Sequence, residues 1–392
     1  MQKMTYLERE GVFLMVVQTA ARIERKRRAP VDKTLLTVVT LLLLCGLVTL
    51  FSATYYKAQD KGDSLLEVKR QLIGIGLGLA LMLVTSRIPY RFWSEPRIVV
   101  IGLAVSVALL VVVLIPGVGV YLNGSRRWLS IAGMSFQPSE LAKIASVIYL
   151  AATLSWRLPQ VSKLFRGIVP LLIVPGMMFL LVLQQPNLST GGSIMIVSLL
   201  MMLMAGAKWK HLSLMSVGGL AVGFAYAWSA PYRRERLLSF RDPFAQMSDE
   251  GYQLAQSLIA IGSGGLFGRG LGQGRQKFSY LPYPESDFIF AIVGEDFGLL
   301  GCLTVMLLFV AFAFCGMRIA VGCPDRFGCL LAAGITAMIS IQAFINIGVV
   351  IGLLPTTGLP LPFFSAGGTS ITLLLAAVGI VLNISRSRLY GG

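Results

Sequence analysis

Three polar residues stand where a long polar segment gives way to a long apolar one. They are Glu285, Ser286 and Asp287, and two further acids, Glu295 and Asp296, follow inside the apolar run. Ionisable side chains at membrane depth are costly and raise the question of function. A carboxylate at such a boundary can act as a general base that accepts a proton from a hydroxyl group. An aspartate that heads an apolar helix is also a common helix cap, and spacing alone favours that role for Asp287.

Basic residues that could bind an anion occur in other parts of the chain. Arg126 and Arg127 are adjacent, and Lys277 lies in a long polar segment. Glu140 and Lys143 are three residues apart, so on a helix they share a face and can pair. Arginine forks match phosphate oxygens geometrically. The basic residues favour an anionic ligand such as a lipid phosphate or pyrophosphate, with an ion pair within one helix or contact with lipid headgroups as the alternatives.

The composition excludes several classes of function. The chain has 392 residues, of which 55% are hydrophobic and 13% charged, against about 25% charged in a soluble domain. With one histidine, His211, and five cysteines without a CxxC pair, neither a Ser-His-Asp triad nor a multi-histidine metal site is expected. The net charge of +16 does not require nucleic acid, because basic residues at the ends of membrane helices account for it.

Apolar runs of about 17–25 residues, the length that a membrane-spanning helix needs, separate the polar segments. The alternating pattern of a membrane β-barrel is absent. We therefore predict an all-α polytopic membrane protein with ten transmembrane helices. The predicted spans are Thr34–Thr54, Gln71–Ser86, Ile98–Ile115, Ser139–Leu154, Gly167–Leu183, Thr190–Ala207, His211–Ser229, Phe288–Ile319, Gly328–Leu354 and Thr369–Ile384.

The distribution of lysine and arginine predicts the orientation of these spans. Basic residues concentrate in the segments on the side of both termini, which the positive-inside rule assigns to the cytoplasm. We expect a cytoplasmic tail at 1–33, a membrane domain at 34–388 and a short C-terminal tail at 389–392. The segment 230–287, between the seventh and eighth spans, is then a large extracytoplasmic loop. Loops of that length in compact proteins are usually functional.

A cluster of glycines marks the second half of this loop. No strand precedes the cluster, and neither the GxGxxG nor the P-loop pattern fits it, so a nucleotide site is not expected. Glycine backbone can bend tightly and approach a neighbour closely, and we predict such an approach to a ligand here. The glycines are Gly262, Gly264, Gly265, Gly268, Gly270, Gly272 and Gly274.

Five sequence motifs, listed at the end of this paragraph in the order in which they occur, together resemble the bacterial SEDS family (shape, elongation, division and sporulation, including FtsW, RodA and SpoVE). The resemblance covers essentially all of Thr34–Arg388. Within the family the similarity is greatest to the division type, FtsW, on Ala205–Lys208 and Gln273–Leu281. The motifs are Gly124-Ser-Arg-Arg-Trp128, Phe136-Gln-Pro-Ser-Glu-Leu-Ala-Lys143, Gly251-Tyr-Gln-Leu-Ala-Gln-Ser257, Ser286-Asp-Phe-Ile-Phe-Ala291 and Gly358-Leu-Pro-Leu-Pro-Phe-Phe-Ser-Ala-Gly-Gly-Thr-Ser370.

The resemblance implies an enzyme of the bacterial cytoplasmic membrane, at the division septum. Family members polymerise peptidoglycan from lipid II at the outer face of that membrane and release undecaprenyl pyrophosphate. They work with a class B penicillin-binding protein, here together with other membrane proteins of the divisome. We expect no nucleic acid partner and no resident metal, although a divalent cation (Mg²⁺ or Mn²⁺) could bridge the pyrophosphate.

The resemblance also implies the roles of individual residues. Asp287 matches the family's essential acidic residue, so we expect it to be the catalytic base. Glu140 and Lys143 match an important pair of the family. The full set of residues from which we expect substrate contacts is Glu140, Lys143, Arg126, Arg127, Trp128, Gln137, Ser286, Lys277, Ser365 and Gly367.

Two positions depart from the family pattern. Asn187 replaces the usual aspartate of Gln-Pro-Asp-Leu-Gly-Thr, and Ala366 replaces a tyrosine before two glycines. An asparagine cannot ionise, so a charge-dependent role at 187 is in doubt. Two other functions remain as alternatives: a lipid II flippase that uses Glu295 and Asp296, or a non-catalytic scaffold that recruits a penicillin-binding protein. No inverted repeat is visible between the two halves of the chain, which counts against the flippase.

Overall fold

The computed structural model describes residues 30–59, 65–122, 125–131, 134–157, 161, 163–229, 234–235, 238–245, 251–276 and 280–387. Residues 1–29 of the predicted N-terminal tail, the C-terminal tail 389–392, Lys277 and about a quarter of the predicted loop 230–287 lie outside these ranges. All statements below refer to the described residues.

The described chain is mainly helical. A backbone in lipid must satisfy its own hydrogen bonds, and a helix does so within one apolar segment. Short 3₁₀ and π turns cover Tyr90–Ser94 and Leu164–Ile168. The α-helices are α1 (Lys33–Gln59), α2 (Leu66–Arg87), α3 (Pro96–Val112), α4 (Pro138–Arg157), α5 (Val169–Gln184), α6 (Leu188–Met204), α7 (Trp209–Trp228), α8 (Tyr252–Gly264), α9 (Ile289–Val321), α10 (Arg326–Val350) and α11 (Gly368–Ser385).

Each of the ten predicted spans overlaps one of these helices. Six helical segments are long and apolar enough to cross a membrane: Lys33–Tyr55, Leu66–Arg87, Leu164–Gln184, Ile289–Val321, Arg326–Val350 and Gly368–Ser385. Pro96–Val112 and Leu188–Met204 are shorter apolar helices. The helical, multi-span character is therefore confirmed, whereas the number of ten membrane spans stays a prediction.

Helix α10 is the centre of the bundle. Within its most apolar window, 78% of the residues are buried, which exceeds the share in the other five candidate spans. Helices α4, α6, α9 and α11 pack around it. The rings of Phe309 on α9 and Phe364, in the segment before α11, approach to 6.1 Å between centroids in the same core. The segment 351–367 between α10 and α11 is thus held against buried aromatic packing.

Helices α2 and α11 pack backbone to backbone. A Cβ atom at Gly74 would lie only 2.5 Å from the Cα atom of Gly368, so the helices could not approach this closely with a larger residue there. The hydroxyl of Thr372 donates to the carbonyl of Gly74 at 2.9 Å, and that of Thr85 donates to the carbonyl of Ala376 at 2.9 Å. Small residues and side-chain hydrogen bonds of this kind are typical of helix contacts in membranes.

A small antiparallel sheet follows α3, and the prediction of an all-α chain was wrong here. Its strands are β1 (Gly119–Leu122), β2 (Ser125–Ile131) and β3 (Met134–Phe136), in the order β1-β2-β3. The register pairs Val120 with Trp128 and Tyr121 with Arg126, with a shift between these two pairs. The shift interrupts the period-two pattern by which a strand is recognised in a sequence.

Helix α9 is broken at Gly298, whose φ of 66° and ψ of −161° are not helical. The glycine-rich segment docks at this break. The backbone N–H of Leu299 donates to the carbonyl of Gly265 at 2.9 Å, and that of Arg269 donates to the carbonyl of Glu295 at 2.9 Å. A Cβ atom at Gly268 would overlap the carbonyl of Asp296. The predicted close approach exists, but the neighbour is α9, whereas a ligand was expected.

Candidate active site

A cavity of about 2090 Å³ opens beside the start of α9. Its walls come from α2, the small sheet, α6, α7, the segment 354–363 and the beginning of α11. The α6 and α7 walls are mostly apolar, with residues such as Leu199, Leu220 and Phe224, whereas the other walls carry polar groups. Seven of the predicted site residues line it: Arg127, Trp128, Gln137, Ser286, Asp287, Ser365 and Gly367.

Asp287 stands two residues before the first residue of α9. The N-cap position of this helix falls on Phe288, so Asp287 immediately precedes the cap residue. The backbone carbonyl of Asp287 accepts a hydrogen bond at 2.6 Å from Nδ2 of Asn346, which also donates to the carbonyl of Leu359 at 2.7 Å. The buried Asn346 thereby fixes the start of α9 and the segment after α10 to one another.

Arg127 faces the same point as Asp287. A Cβ atom at Gly358 would lie 3.8 Å from Oδ2 of Asp287 and 4.0 Å from Nη1 of Arg127. The guanidinium of Arg127 also donates to the turn between α5 and α6: Nε bonds the carbonyl of Gln185 at 2.8 Å, and Nη2 bonds that of Pro186. The two carbonyls fix the direction of the side chain, whose Nη1 lies near Gly358.

Glu140 and Lys143 form the predicted ion pair, with 2.8 Å between Nζ and Oε1, and their side chains are 4% and 2% exposed. Neither lines the cavity. Lys143 also donates to Oε1 of Gln342, and the hydroxyl of Ser370 donates to Oε2 of Glu140 at 3.2 Å. Gln342 in turn donates to the carbonyl of Pro360 at 2.8 Å. The pair therefore lies behind the cavity wall and contacts it through Gln342 and Ser370. The substrate contacts expected of both residues stay a prediction.

Arg126 is the other predicted residue that does not reach the cavity. Its guanidinium carbon lies 5.6 Å from the ring centroid of Tyr121, in a cation–π arrangement on the sheet. Lys277 lies outside the described residues.

Ser365 and Gly367 are bound to α2. The side chain of Gln71 donates from Nε2 to the carbonyl of Ser365 at 3.2 Å, and its Oε1 accepts from the backbone N–H of Gly367 at 3.2 Å. The hydroxyl of Ser365 accepts from the backbone N–H of Leu361 at 2.8 Å. Sequence reasoning missed Gln71, Gln342 and Asn346, although an amide side chain inside an apolar run is a visible signal of a buried hydrogen bond.

The two acids inside the apolar run bind other parts of the protein. Glu295 is fully buried and accepts hydrogen bonds from the backbone N–H groups of Arg275 at 2.6 Å and Gln276 at 3.1 Å. Asp296 accepts from the hydroxyl of Ser52 on α1. Both carboxylates therefore accept hydrogen bonds from other parts of the protein.

The two departures from the family pattern have structural roles. Oδ1 of Asn187 accepts from the backbone N–H of Thr190 at 3.2 Å and so caps α6. Asparagine caps a helix about as well as aspartate, so this role needs no charge. The backbone N–H of Ala366 donates to the carbonyl of Glu285 at 2.8 Å, a contact that does not depend on the side chain.

No group of three or more His, Cys, Asp or Glu side chains that could hold a metal ion occurs in the part of the chain that the structure describes. The carboxylates among the described lining residues are Glu67 and Asp287. These two carboxylates are the anionic side chains, among the described lining residues, that could help to hold a divalent cation.

Comparisons with known proteins agree on one family. The model of the family that comprises FtsW, RodA and SpoVE, described as "Cell cycle protein", matches residues 32–390. Stage V sporulation protein E of Bacillus subtilis is 44% identical over 361 residues, which are 91% of this chain and 97% of that protein. A probable peptidoglycan glycosyltransferase FtsW of Geobacter sulfurreducens is 37% identical over 362 residues, with 92% and 96% covered.

Solved structures share the fold. A chain from a structure on the coordination of polymerization and crosslinking by a peptidoglycan synthase complex superimposes with a TM-score of 0.76 and 28% identity. The match covers 92% of this chain and 99% of that one. The rod shape determining protein RodA of Thermus thermophilus gives a TM-score of 0.67 and 27% identity over 92% and 98% of the two chains.

Proposed function

The chain belongs to the FtsW, RodA and SpoVE family of cell cycle proteins, and we propose that it is a peptidoglycan glycosyltransferase. It polymerises lipid II into glycan strands during cell division and releases undecaprenyl pyrophosphate. The support is the name of several relatives that it matches over about nine-tenths of its length, peptidoglycan glycosyltransferase FtsW.

The single observation that carries the chemistry is the position of Asp287 on the wall of the large cavity. In the proposed reaction its carboxylate accepts the proton of the acceptor 4-hydroxyl while that oxygen attacks the anomeric carbon of the donor. The bond from the anomeric carbon to the diphosphate oxygen breaks, its electron pair leaves with undecaprenyl pyrophosphate, and the configuration inverts. A divalent cation held at the cavity, where Glu67 and Asp287 are the described lining carboxylates, would offset the charge of the departing diphosphate.

The two kinds of wall match the two parts of this substrate. The α6 and α7 walls supply apolar contacts for a polyprenyl chain, and the polar walls with Gln137, Ser286 and Ser365 face the sugar and diphosphate. We propose that Glu140 and Lys143 act as positioning residues, because their partners Gln342 and Ser370 belong to that polar wall.

The topology also belongs to the proposal. Ten spans, with both termini in the cytoplasm, would put the segment 230–287 and Asp287 at the outer face of the bacterial cytoplasmic membrane, where lipid II is used. The distribution of basic residues supports it. The membrane domain would then be 34–388, and the protein would act at the division septum.

A class B penicillin-binding protein is the proposed partner, together with other membrane proteins of the divisome. The support is the solved relative that belongs to a peptidoglycan synthase complex in which polymerization and crosslinking are coordinated. A role of the same chemistry in sporulation is the second candidate, because the 44% identity to Stage V sporulation protein E exceeds that to the FtsW proteins compared above.

The test is polymerisation of lipid II by the purified chain, with and without a class B penicillin-binding protein. Wild-type protein should form glycan polymer, and Asp287→Asn should lose at least about 10²-fold in rate. Asp242→Asn removes the same charge from an exposed turn and should retain activity.

Normal polymerisation by Asp287→Asn would refute the proposed base. Two results would favour the alternatives. Outward movement of labelled lipid II in liposomes that contain only this protein would support a flippase, and normal growth of cells that rely on Asp287→Ala would support a scaffold.

A further inference from the structure

The cavity contains a cationic residue that sequence reasoning did not single out. Among the described residues that line it, the positively charged ones are Arg70 on α2 and Arg127 on β2. The reaction proposed above generates negative charge on a departing diphosphate, and positively charged groups aimed at such charge are the usual means of stabilising it. The question is which cation is available to the ligand.

Three of the four predicted cations are bound to other groups of the protein, and the fourth, Lys277, lies outside the described residues. Lys143 is buried in its pair with Glu140 and Gln342 and does not line the cavity. Arg126 lies over the ring of Tyr121. Arg127 reaches the cavity, but its Nε and Nη2 groups donate to the carbonyls at residues 185 and 186.

Arg70 is more accessible. Its side chain is 59% exposed, and its Nη1 atom is 2.9 Å from Oε1 of Glu67, whose side chain is 34% exposed and lines the same cavity. Exposed pairs of this i, i+3 kind contribute little to stability. A diphosphate offers a guanidinium two parallel charge-assisted hydrogen bonds, which are stronger. An incoming diphosphate can therefore replace Glu67 as the partner of Arg70.

The backbone beneath Arg70 is firmly attached to the rest of the site. The next residue, Gln71, is buried and bonds the carbonyl of Ser365 and the N–H of Gly367, both at 3.2 Å. Between these two, Ala366 donates its N–H to the carbonyl of Glu285, two residues before Asp287. Arg70 and the proposed base are thus linked through one hydrogen-bonded segment, 365–367.

We propose that Arg70 binds the diphosphate of the polyprenyl-linked substrate and of the released polyprenyl diphosphate. This inference rests on the proposed function, since it assigns a residue to the leaving group of that reaction. The guanidinium exchanges no atoms with the substrate. It donates hydrogen bonds to phosphate oxygens that gain the electron pair when the glycosidic bond to the diphosphate breaks.

The test measures binding directly, with farnesyl diphosphate as the probe and full-length protein in detergent. Arg70→Gln should weaken binding by about tenfold or more, because a bidentate charge-assisted contact is lost. Arg70→Lys, which keeps the charge without the fork, should fall between Arg70→Gln and wild type. Glu67→Gln removes the competing carboxylate and should bind at least as tightly as wild type.

Lys69→Gln is the matched control, because it removes the same charge from an exposed neighbour that does not line the cavity. Its affinity should change by less than about twofold. Equal losses in Lys69→Gln and Arg70→Gln would overturn the proposal, since the effect would then be one of general charge. Wild-type affinity in Arg70→Gln would overturn it directly.

Two further arms separate the possible explanations. Phosphatidylglycerol that competes with farnesyl diphosphate on equal terms would show that Arg70 binds lipid headgroups, which would also overturn the proposal. Wild-type protein that binds the probe through Arg70 but makes no polymer from lipid II would refute the proposed function and leave this inference intact. If Arg70→Gln does not fold, as thermal unfolding would show, the test uses the other two variants. The proposal predicts weaker binding of farnesyl diphosphate by Arg70→Lys than by Glu67→Gln, and equal affinities would overturn it.

Discussion

The carboxylate of Glu295 on α9 accepts the backbone N–H of Arg275 at 2.6 Å. The next residue, Gln276, donates its N–H to the same carboxylate at 3.1 Å, and its carbonyl accepts from the N–H of Leu281 at 2.9 Å. Six residues later the chain reaches Asp287. The buried carboxylate of Glu295 therefore fixes residues 275 and 276, at the start of the segment that ends at the proposed base, Asp287.

We predict that Glu295→Gln reduces polymerisation, because an amide offers one acceptor oxygen where the carboxylate offers two, and its NH₂ group would face backbone N–H groups. Gly274→Ala should act through the same contact, since its Cβ would overlap Oε2 of Glu295.

The double variant should lose no more activity than the less active of the two single variants, and rate measurements on all three would show it. Gly262→Ala is the control, because its Cβ would have no neighbour within 4 Å. Additive losses would mean that the two sites act independently.

The contact between α2 and α11 gives a prediction about stability. Gly74→Ala should lower the free energy of unfolding by ~1–3 kcal/mol, the usual effect of overpacking, because its Cβ would lie 2.5 Å from the Cα of Gly368. Gly76→Ala on the same helix has open space and should be neutral or stabilising by up to ~1 kcal/mol, since alanine favours a helix. Thermal unfolding in detergent measures both, and a matching response of the two variants would contradict the packing argument.

The buried pair of Glu140 and Lys143 predicts a difference between single and double variants. Lys143→Met should cost ~3–5 kcal/mol, because it leaves a buried carboxylate without its cation. Replacing both residues with methionine should cost less than the sum of the single changes, because no uncompensated charge remains. A set of four unfolding curves tests this, and a coupling near zero would show that the two charges do not depend on one another.

Cys323 lies in the turn between α9 and α10, and burial, with a smaller contribution from the nearby carboxylate of Asp325, raises the pKa of its thiol to about 12. The thiolate is the reactive form. In a variant that keeps this cysteine alone, the rate of maleimide labelling should be slow at pH 7 and should rise about tenfold per pH unit without a plateau up to pH 10. An exposed cysteine introduced at Arg269 should reach its plateau near pH 9. A plateau at the same pH for both would mean that Cys323 is not shielded.

Much of the helical fold could be predicted because the length of an apolar run reports directly on a helix in a membrane. The ends of the helices were predicted less accurately, because a helix can extend beyond its apolar residues. Helix α1, for example, continues to Gln59, past the predicted end at Thr54. In the opposite direction, α10 ends at Val350 and not at Leu354, because Gly352 adopts a φ of 74°. The sheet was missed since its strands are short and irregular in register.

The types of residue at the site could be predicted from the sequence, but their hydrogen-bond partners in distant segments could not. Asp287 lies on the cavity as expected, whereas Lys143 does not line it and donates instead to the lining residue Gln342, which is 199 residues distant in sequence. Gln71 and Ser365 are 294 residues apart. Local spacing predicts which residues share a helix face, as for Glu140 and Lys143, but it carries no information on which distant segment that face meets.

The break at Gly298 divides α9 into two helical parts of different length. A bilayer has a hydrocarbon thickness of about 30 Å, and the part of the helix after the break, about 23 residues or roughly 34 Å, matches that thickness by itself. The turns before it, which carry both Glu295 and Asp296, are therefore not needed to cross the bilayer. One glycine thus divides a single long helical segment into two parts: the later part is long enough to cross the hydrocarbon layer by itself, and the earlier part carries the two buried acids.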